Sequence, residues 1–334
     1  MVGYVESLTD PSYKGQILVQ TYPLIGNYGV PSKEITDEFG IPLHYESERI
    51  QVTAYIIHSL CRKPSHWSSN KTLDEWMKEE GVVGIEGIDT RELVKKIREK
   101  GVMLGAISID GDVPEMHDPN ELNLVKEVSI EKPIKYFVSE SFPRVIVIDC
   151  GMKYGILRTL LRKSFNVIRV PYDYPLRKIL DFEPGGIVIS NGPGNPKMCK
   201  ETIKTVRGLL EIGIPILGIC LGNQILGLAV GGDTYKLKFG HRGQNHPVID
   251  VKKEKCYITS QNHGYAVKED SLEGTELSVR FINANDKTIE GIMDKDGNVI
   301  GVQWHPEASP GPTDTDFLFD EFKRKVISFL GRNG

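Results

Sequence analysis

The chain has 334 residues, of which 40% are hydrophobic and 26% are charged, and this composition is ordinary for a globular protein. The length exceeds the usual ceiling for one hydrophobic core, so we expect two domains. The formal net charge of −4, without a cluster of Lys and Arg residues, argues against nucleic acid as the main partner.

The first part of the chain mixes short strands and helices. Apolar and β-branched runs predict the strands, and helical periodicity with capping residues predicts the helices. In chain order these are a strand at 17–20, a strand at 53–57, a helix at 72–80 and a helix at 90–100. We expect Thr90 to cap the second helix and Gly101 to end it. This pattern indicates a small mixed α/β domain.

A short polar stretch marked by prolines follows at residues 131–143, and we interpret it as a linker. The predicted domains are therefore residues 1–130 and residues 144–334. We find no internal repeat and no low-complexity segment in either part.

After the linker, short apolar strands alternate regularly with helices. Strands are predicted at 145–148, 166–170, 186–190, 214–217 and 298–304, and helices at 154–163, 200–212, 223–230 and 316–330. Such alternation predicts a parallel sheet with helices on both faces. Ligands of these sheets bind beyond the carboxyl ends of the strands. Cys220, the loop at 191–194 and His305 all follow predicted strands, so they can converge.

Cys220 has the sequence environment of a nucleophile. It stands in Gly218-Ile219-Cys220-Leu221-Gly222, between an apolar run and a helix-like stretch. This Gly-x-nucleophile-x-Gly elbow turns a strand sharply into a helix, and the glycines make room for a strained residue. The helix N-terminus favours the thiolate, which is the form of cysteine that attacks carbonyls.

The motif His305-Pro306-Glu307 supplies the partners that a cysteine nucleophile needs. It follows a predicted strand, and its histidine and glutamate are two residues apart, so they point to one side. A histidine can act as base while a carboxylate orients it. Taken alone, His305 could equally be a core histidine or a base, and the motif could also be a surface turn with a capped histidine. The elbow and this motif together predict an amide-cleaving enzyme.

The loop Asn191-Gly192-Pro193-Gly194 lacks the pattern of a phosphate-binding loop. It could be a plain turn. In the functional interpretation, its glycines let a backbone N–H approach the reacting carbonyl and form part of an oxyanion hole. The N–H of Leu221 would be the second donor.

The remaining cysteines, Cys61, Cys150, Cys199 and Cys256, are interpreted as small apolar side chains. The odd number and the absence of a Cys-x-x-Cys pair predict neither a disulfide framework nor a metal site, and a cytoplasmic location is expected. The N-terminus does not read as a signal peptide. Polar residues and glycines interrupt the most apolar region, residues 212–230, so no membrane span is predicted.

The motifs described above resemble those of class I, triad-type glutamine amidotransferases. More narrowly, the chain resembles the family of small, glutamine-hydrolysing subunits of carbamoyl-phosphate synthase. The narrower resemblance is carried by segments spread along the whole chain, at 8–13, 21–27, 87–93, 239–248 and 303–312. It implies an α/β fold in which a flavodoxin-like amidotransferase domain with a mostly parallel sheet follows the smaller mixed domain.

The resemblance also implies roles for individual residues. Cys220 would be the nucleophile, His305 the general acid and base, and Glu307 the group that orients His305. The substrate L-glutamine would be held by Ser12, Gly192, Gly194, Leu221, Gln224, Asn262, Gly264 and Tyr265. From the residues alone, Ser12 is only a turn serine, and the segment 260–265 is a polar turn between strands.

Two features depart from the family pattern. Asn223 stands where the family usually has histidine, and we expect little effect on the chemistry because this position lies outside the triad. The family also usually has further residues before Gly3 that form early strands of the first domain. We therefore expect the first domain to lack those strands.

The resemblance implies a partner, because this chain has no motif for using the ammonia released from glutamine. A large synthetase subunit would bind ATP and magnesium, receive the ammonia and make carbamoyl phosphate from bicarbonate for arginine or pyrimidine biosynthesis. The two subunits would form a heterodimer or a higher oligomer. No cofactor and no metal are expected on this chain, and neither nucleic acid nor membrane is an expected partner.

Three alternatives remain open from the sequence. The chain could be a glutaminase that serves another synthetase, which residues 1–130 and the segment 239–248 disfavour. It could be a non-catalytic interaction subunit, which the intact set of Cys220, His305 and Glu307 disfavours. It could also be a cysteine peptidase built on a similar elbow, which would turn over peptides and ignore glutamine.

Overall fold

The computed structural model describes residues 3–108, 111–112 and 115–333. The elements of the first part are α1 (Tyr4–Thr9), β1 (Ile17–Val19), β2 (Leu24–Ile25), β3 (Ala54–Ile56), β4 (Ser59–Leu60), α2 (Leu73–Glu79), β5 (Val83–Ile85), α3 (Thr90–Lys100) and α4 (Val125–Val128). Strands β1, β3 and β5 form a parallel sheet in the order β1-β3-β5, and β2 pairs with β4. This part is the predicted mixed α/β domain.

The elements of the second part are β6 (Ile134–Tyr136), β7 (Arg144–Asp149), α5 (Tyr154–Arg162), β8 (Asn166–Pro171), α6 (Leu176–Leu180), β9 (Gly186–Ile189), α7 (Lys200–Ile212), β10 (Ile216–Ile219), α8 (Leu221–Ala229), β11 (Thr234–Asp250), β12 (Lys255–Val267), β13 (Leu277–Asn283), β14 (Ile289–Asp294), β15 (Val299–Val302) and α9 (Phe317–Asn333). Among these residues, no helix combines the length and apolar character needed to cross a bilayer.

One large sheet organises the second part. Its strand order is β12-β11-β13-β14-β15-β10-β9-β7-β8-β6. The five strands from β15 to β8 run parallel to one another. At the two ends of this group, β14 pairs antiparallel with β15 and β6 pairs antiparallel with β8. If these five strands are numbered 1 to 5 along the chain, their order in the sheet is 2-1-3-4-5, which is the flavodoxin-like arrangement. The predicted fold class is therefore confirmed.

The two faces of this sheet carry separate hydrophobic cores. Successive side chains of a strand point to opposite faces. Accordingly, Val145 and Val147 of β7 join a core with α5 and α9, whereas Ile146 and Ile148 join a core with α6, α7 and α8. A third cluster fills the first domain. Burial on both faces explains why these strands read as continuous apolar runs.

The structure revises some local predictions. The N-cap of α3 is Asp89, whose side chain accepts a hydrogen bond from the N–H of Glu92 at 3.0 Å, so Thr90 is the first residue of the helix. A carboxylate at this position also interacts favourably with the helix dipole. The predicted linker at 131–143 includes β6, which pairs antiparallel with β8 and forms an edge of the large sheet.

Candidate active site

Cys220 occupies the sharp turn between β10 and α8. Its backbone has φ 55° and ψ −102°, a conformation that side chains other than glycine rarely adopt. The flanking glycines permit the turn. A Cβ on Gly222 would lie 2.2 Å from the carbonyl oxygen of Ile189, and a Cβ on Gly218 would lie 2.6 Å from that of Gly222. Cys220 is the N-cap of α8, so it stands at the positive end of the helix dipole.

His305 and Glu307 form a buried pair just beyond β15. The Nδ1 of His305 lies 2.7 Å from Oε1 of Glu307, and the N–H of His305 donates to the carbonyl of Ser260 at 2.9 Å. The side chain of Glu307 is completely buried, and that of His305 is 2% exposed. The structure therefore places the Glu307 carboxylate against the imidazole of His305.

Opposing effects set the charge of this pair. Burial acts to lower the pKa of His305, but the Glu307 carboxylate outweighs it, and the pKa rises to about 10. The Cys220 thiol also favours the charged imidazole. Burial acts to raise the pKa of Glu307, but Lys153 and His305 lower it to about 2. Among the described residues, the Nε2 of His305 is buried without a hydrogen-bond partner, so this nitrogen is available to a reacting group.

Lys153, at the start of α5, was not predicted from the sequence. Its Nζ lies 3.1 Å from Oε1 of Glu307 and donates to the carbonyl of Ala308 at 2.7 Å. Although burial disfavours a charged amine, Glu307 and Glu46 raise the pKa of Lys153. Lys153 is therefore a buried cation that holds the Glu307 carboxylate in its ionised form.

Glu46 brings a carboxylate from the first domain to this cluster. It is 1% exposed, it accepts a hydrogen bond from the N–H of Gly155 at 2.9 Å, and it lies 4.0 Å from Nζ of Lys153. Burial is the main reason that its pKa rises to about 7. The charge of the His305–Glu307 pair is thus linked to a residue of the other domain.

The predicted oxyanion loop packs tightly against β7. A Cβ on Gly192 would lie 2.0 Å from the carbonyl oxygen of Cys150, so only glycine fits. The neighbouring Asn191 donates from Nδ2 to Oγ of Ser12 at 2.9 Å and accepts from the N–H of Lys153 at 3.0 Å. One asparagine therefore joins the loop, the first domain and the residue that holds Glu307.

The segment 260–265 is part of strand β12, so its interpretation as a polar turn was wrong. The carbonyl of Asn262 accepts from the Cys220 thiol at 3.7 Å, and its Nδ2 donates to Oδ2 of Asp10 at 3.0 Å. The carbonyl of Tyr265 accepts from Nε2 of Gln224 at 2.9 Å. The strand thus runs beside the thiol and contacts the first domain.

A cavity of about 800 Å³ opens onto the Cys220 thiol. Its walls come from both domains, and it includes every residue for which a role in holding glutamine was expected. These are Ser12, Gly192, Gly194, Leu221, Gln224, Asn262, Gly264 and Tyr265. The structure therefore gathers distant segments of the chain around one concave site, which is the usual geometry of a small-molecule pocket.

A second group of chemically active side chains lies on β11, β12 and β14. Ligand atoms of His241, His263 and Glu290 all lie within 4.8 Å of one another. Both ring nitrogens of His241 already contact carboxylates, those of Glu290 at 3.0 Å and Asp286 at 2.8 Å. The ring nitrogens of His263 lie 2.9–3.0 Å from carbonyl oxygens. These contacts join β14 to β11 and β12, the two strands of this group that line the cavity.

Two sequence families match the chain. The class-I glutamine amidotransferase family matches residues 146–325, and the CPSase domain of carbamoyl-phosphate synthase small chains matches residues 1–107. The two matches cover the second and the first domain, respectively. The first-domain match separates the chain from amidotransferases that lack this domain.

Named relatives are similar over nearly the whole chain. The carbamoyl phosphate synthase small chain of Pyrococcus furiosus is 50% identical over 96% of this chain and 88% of its own length. The arginine-specific small chain of Saccharomyces cerevisiae is 46% identical over 96% of this chain and 80% of its own length. A solved structure from Thermoplasma acidophilum, assigned to GMP synthase, covers 58% of this chain and 99% of that one with a TM-score of 0.51. At 20% identity, that similarity supports the fold alone.

Proposed function

The chain belongs to the family of carbamoyl-phosphate synthase small chains, and from this membership we propose that its cavity binds L-glutamine and hydrolyses the side-chain amide. The observation that carries the proposal is a strained cysteine that lines a cavity between both domains and whose thiol interacts with His305 of the buried His305–Glu307 pair. The chain is an enzyme subunit, the glutaminase half of a two-chain synthase.

The first step forms a thioester. The thiolate of Cys220 attacks the amide carbon of glutamine, a C–S bond forms, and the carbonyl oxygen becomes an oxyanion. Backbone N–H groups of Leu221 and of the Gly192 loop stabilise this charge, and removal of one such donor typically costs about 2.7–4 kcal/mol. His305 gives its Nε2 proton to the departing nitrogen, the C–N bond breaks, and ammonia leaves.

The second step releases glutamate. His305 is neutral after it has lost its proton, so it can accept a proton from water as the water attacks the thioester. The C–S bond breaks, and the electron pair returns to the sulfur of Cys220. The raised pKa of His305, about 10, means that the imidazole is protonated again at the end of the cycle. Glu307 fixes the orientation of the imidazole and favours its charged form, and Lys153 holds Glu307 in position.

Substrate binding uses both domains. Ser12 of the first domain, which accepts a hydrogen bond from Asn191, lines the cavity together with Asn262, Gly264 and Tyr265 of β12. Gln224 is fixed by its bond to the carbonyl of Tyr265. These neutral donors and acceptors suit the polar ends of an amino acid, and a loss of domain contact would open the site.

As a small chain, this protein works with a large chain that uses the ammonia. We propose that the large chain binds ATP and magnesium, takes up bicarbonate and forms carbamoyl phosphate, and that the two chains assemble as a heterodimer or a multiple of it. We further propose that the isolated small chain is a slow glutaminase that is accelerated when the large chain docks. Supply of carbamoyl phosphate for arginine or pyrimidine synthesis follows from this role.

The test is co-purification of the chain with its large chain, followed by assays of carbamoyl phosphate formation. The wild-type complex is expected to use both glutamine and free ammonia. The Cys220→Ser complex is expected to lose glutamine use and to keep ammonia use, because ammonia enters after the step that needs the thiol. Equal use of glutamine by both complexes would refute the proposal, and so would turnover of peptides in place of glutamine.

A further inference from the structure

Gln303 contacts the sulfur of Cys220, and neither the sequence motifs nor the proposed cycle assigns it a role. It follows β15 directly and is fully buried. Its Nε2 lies 3.8 Å from Sγ of Cys220, within the longer range of hydrogen bonds to sulfur. Its backbone N–H donates to the carbonyl of Glu290 at 2.7 Å, which fixes the residue to β14.

Asn223 determines which end of the Gln303 carboxamide faces the sulfur. Its Nδ2 donates to Oε1 of Gln303 at 3.2 Å, and both side chains are fully buried. A carboxamide has donors on one end and an acceptor on the other. When its oxygen accepts from Asn223, its NH₂ group must face Cys220.

The reversed orientation would oppose the chemistry of the site. It would place the carbonyl oxygen of Gln303 against the sulfur, where its partial negative charge would repel a thiolate. A buried donor beside an anion, in contrast, forms a charge-assisted hydrogen bond, which is stronger than a neutral one. The observed arrangement therefore places a donor of Gln303, and not its acceptor, against the sulfur.

We propose that Gln303 is a catalytic donor to the Cys220 thiolate and that Asn223 is the positioning residue that keeps its NH₂ group aimed at the sulfur. The inference rests on the proposed function for its place in the cycle. It adds a second donor to the nucleophile besides His305.

The reaction gives this donor a role that differs from that of His305. His305 transfers its proton to the leaving ammonia and later takes one from water, so it is neutral while the thioester exists. When water attacks the thioester, the C–S bond breaks and its electron pair goes to sulfur, which leaves as a thiolate. Gln303 keeps its protons throughout, so it can stabilise the sulfur both as nucleophile and as leaving group.

The residue at position 223 fits this role. A histidine at this position could also donate an N–H to Oε1 of Gln303. Asparagine and histidine therefore share the property that the arrangement requires. An aspartate of almost the same size would accept a hydrogen bond instead, so it would turn the carboxamide and bring its oxygen to the sulfur.

The test uses the alkylation of Cys220 by iodoacetamide, in which a C–S bond forms and iodide leaves. The second-order rate at pH 7 is followed by peptide mass spectrometry, with the exposed Cys256 as an internal reference. This neutral reagent reports on the thiolate without any need for glutamine. We expect Gln303→Met to lower the rate about tenfold, or about 1.4 kcal/mol. Gln303→Glu should lower it by about 100-fold because it adds a like charge.

Two substitutions at position 223 distinguish an effect of the orientation of the Gln303 carboxamide from an effect of side-chain packing. We expect Asn223→His to react within about threefold of wild type and Asn223→Asp to lose about tenfold, as Gln303→Met does. Gln51→Met serves as a control for loss of a buried glutamine, because the Gln51 amide bonds to Ser47 in the first domain. It should leave the rate unchanged.

Rates for Gln303→Met and Gln303→Glu within twofold of wild type would overturn the proposal. If the Gln303 variants do not fold, as judged by near-UV circular dichroism, the comparison at position 223 decides. Equal rates for Asn223→His and Asn223→Asp would then refute it. A wild-type complex that is alkylated as expected but does not hydrolyse glutamine would contradict the proposed function and leave this inference standing.

Discussion

Replacement of Lys153 by methionine tests how far a buried charge stabilises the His305–Glu307 pair. The substitution keeps a long side chain but removes the ammonium that contacts Glu307 at 3.1 Å and the carbonyl of Ala308 at 2.7 Å. The carboxylates of Glu307 and Glu46 would then share a buried site, and among the residues that the structure describes His305 and Arg158 are the cations that remain in contact with them. We expect a large loss of stability together with a loss of glutaminase activity.

The magnitude follows from burial. Lys153 is 5% exposed and the side chain of Glu307 is completely buried. Removal of one partner of a buried ion pair typically costs about 3–5 kcal/mol, because the other charge stays desolvated. Lys163 provides a matched control, since it also contacts two groups, Asp316 at 2.9 Å and Asp320 at 2.8 Å, but on the surface. Its replacement by methionine should cost about 0–1 kcal/mol.

The assay is urea unfolding of both variants, with the free energy of unfolding taken from linear extrapolation. The account predicts a difference of at least about 2 kcal/mol between Lys153→Met and Lys163→Met. Addition of Glu46→Gln to Lys153→Met should recover part of the loss, because it removes one of the two carboxylates that the lysine neutralised. Equal costs for the two lysine variants would refute the reasoning, and so would two additive effects at positions 153 and 46.

Three further predictions concern backbone strain, close packing and pH. At Cys220, replacement by glycine should give a protein about 1–2 kcal/mol more stable than replacement by alanine, because φ 55° is strained for any residue with a side chain. At Cys150, the alanine variant should be the more stable of the two. Thermal unfolding of the four variants checks whether the sign of the difference reverses between the two positions. Gly192→Ala should lower the free energy of unfolding by more than about 3 kcal/mol or abolish folding, because its Cβ would lie 2.0 Å from a carbonyl oxygen. Gly213→Ala places its Cβ within 4 Å of no atom, so it should cost only the strain of φ 78°, about 1 kcal/mol. Comparable losses for the two variants in urea unfolding would contradict this. The raised pKa of Glu46 contributes stability that is fully present below pH 4.5 and is lost as the pH rises through about 7. The stability of Glu46→Gln should therefore rise relative to that of wild type by up to about 3 kcal/mol across that range. A constant difference in stability between the two proteins from pH 4.5 to 8 would count against this.

The residues that could be predicted from the sequence are those that belong to motifs of a few consecutive residues. The elbow around Cys220 shows itself through glycines at fixed offsets, and the pair His305 and Glu307 lies within three residues of chain. The parallel sheet was predictable for a similar reason, since strands buried on both faces read as short apolar runs. Local patterns of this kind carry the physical requirement within a few residues.

Residues that act across the chain were not predictable in the same way. Lys153 and Glu46 lie more than 100 positions apart, and a single lysine or glutamate carries no local sign that it will be buried against an opposite charge. The polar segment 260–265 resembled a turn because its side chains line a cavity and contact the first domain instead of a hydrophobic core. Asn223 was expected to matter little, and its contact with Gln303 emerges only when α8 packs against the end of β15.

The most direct test of the account is to locate the covalent intermediate. Brief exposure of the complex to isotope-labelled glutamine, an acid quench and peptide mass spectrometry should find a glutamyl group on Cys220 and on no other cysteine. The group should accumulate in His305→Asn after a single slow turnover, because water lacks its base, and it should be absent from Cys220→Ser. Ammonia release by the wild type without any labelled Cys220, or a glutamyl group on another residue, would contradict the central claim.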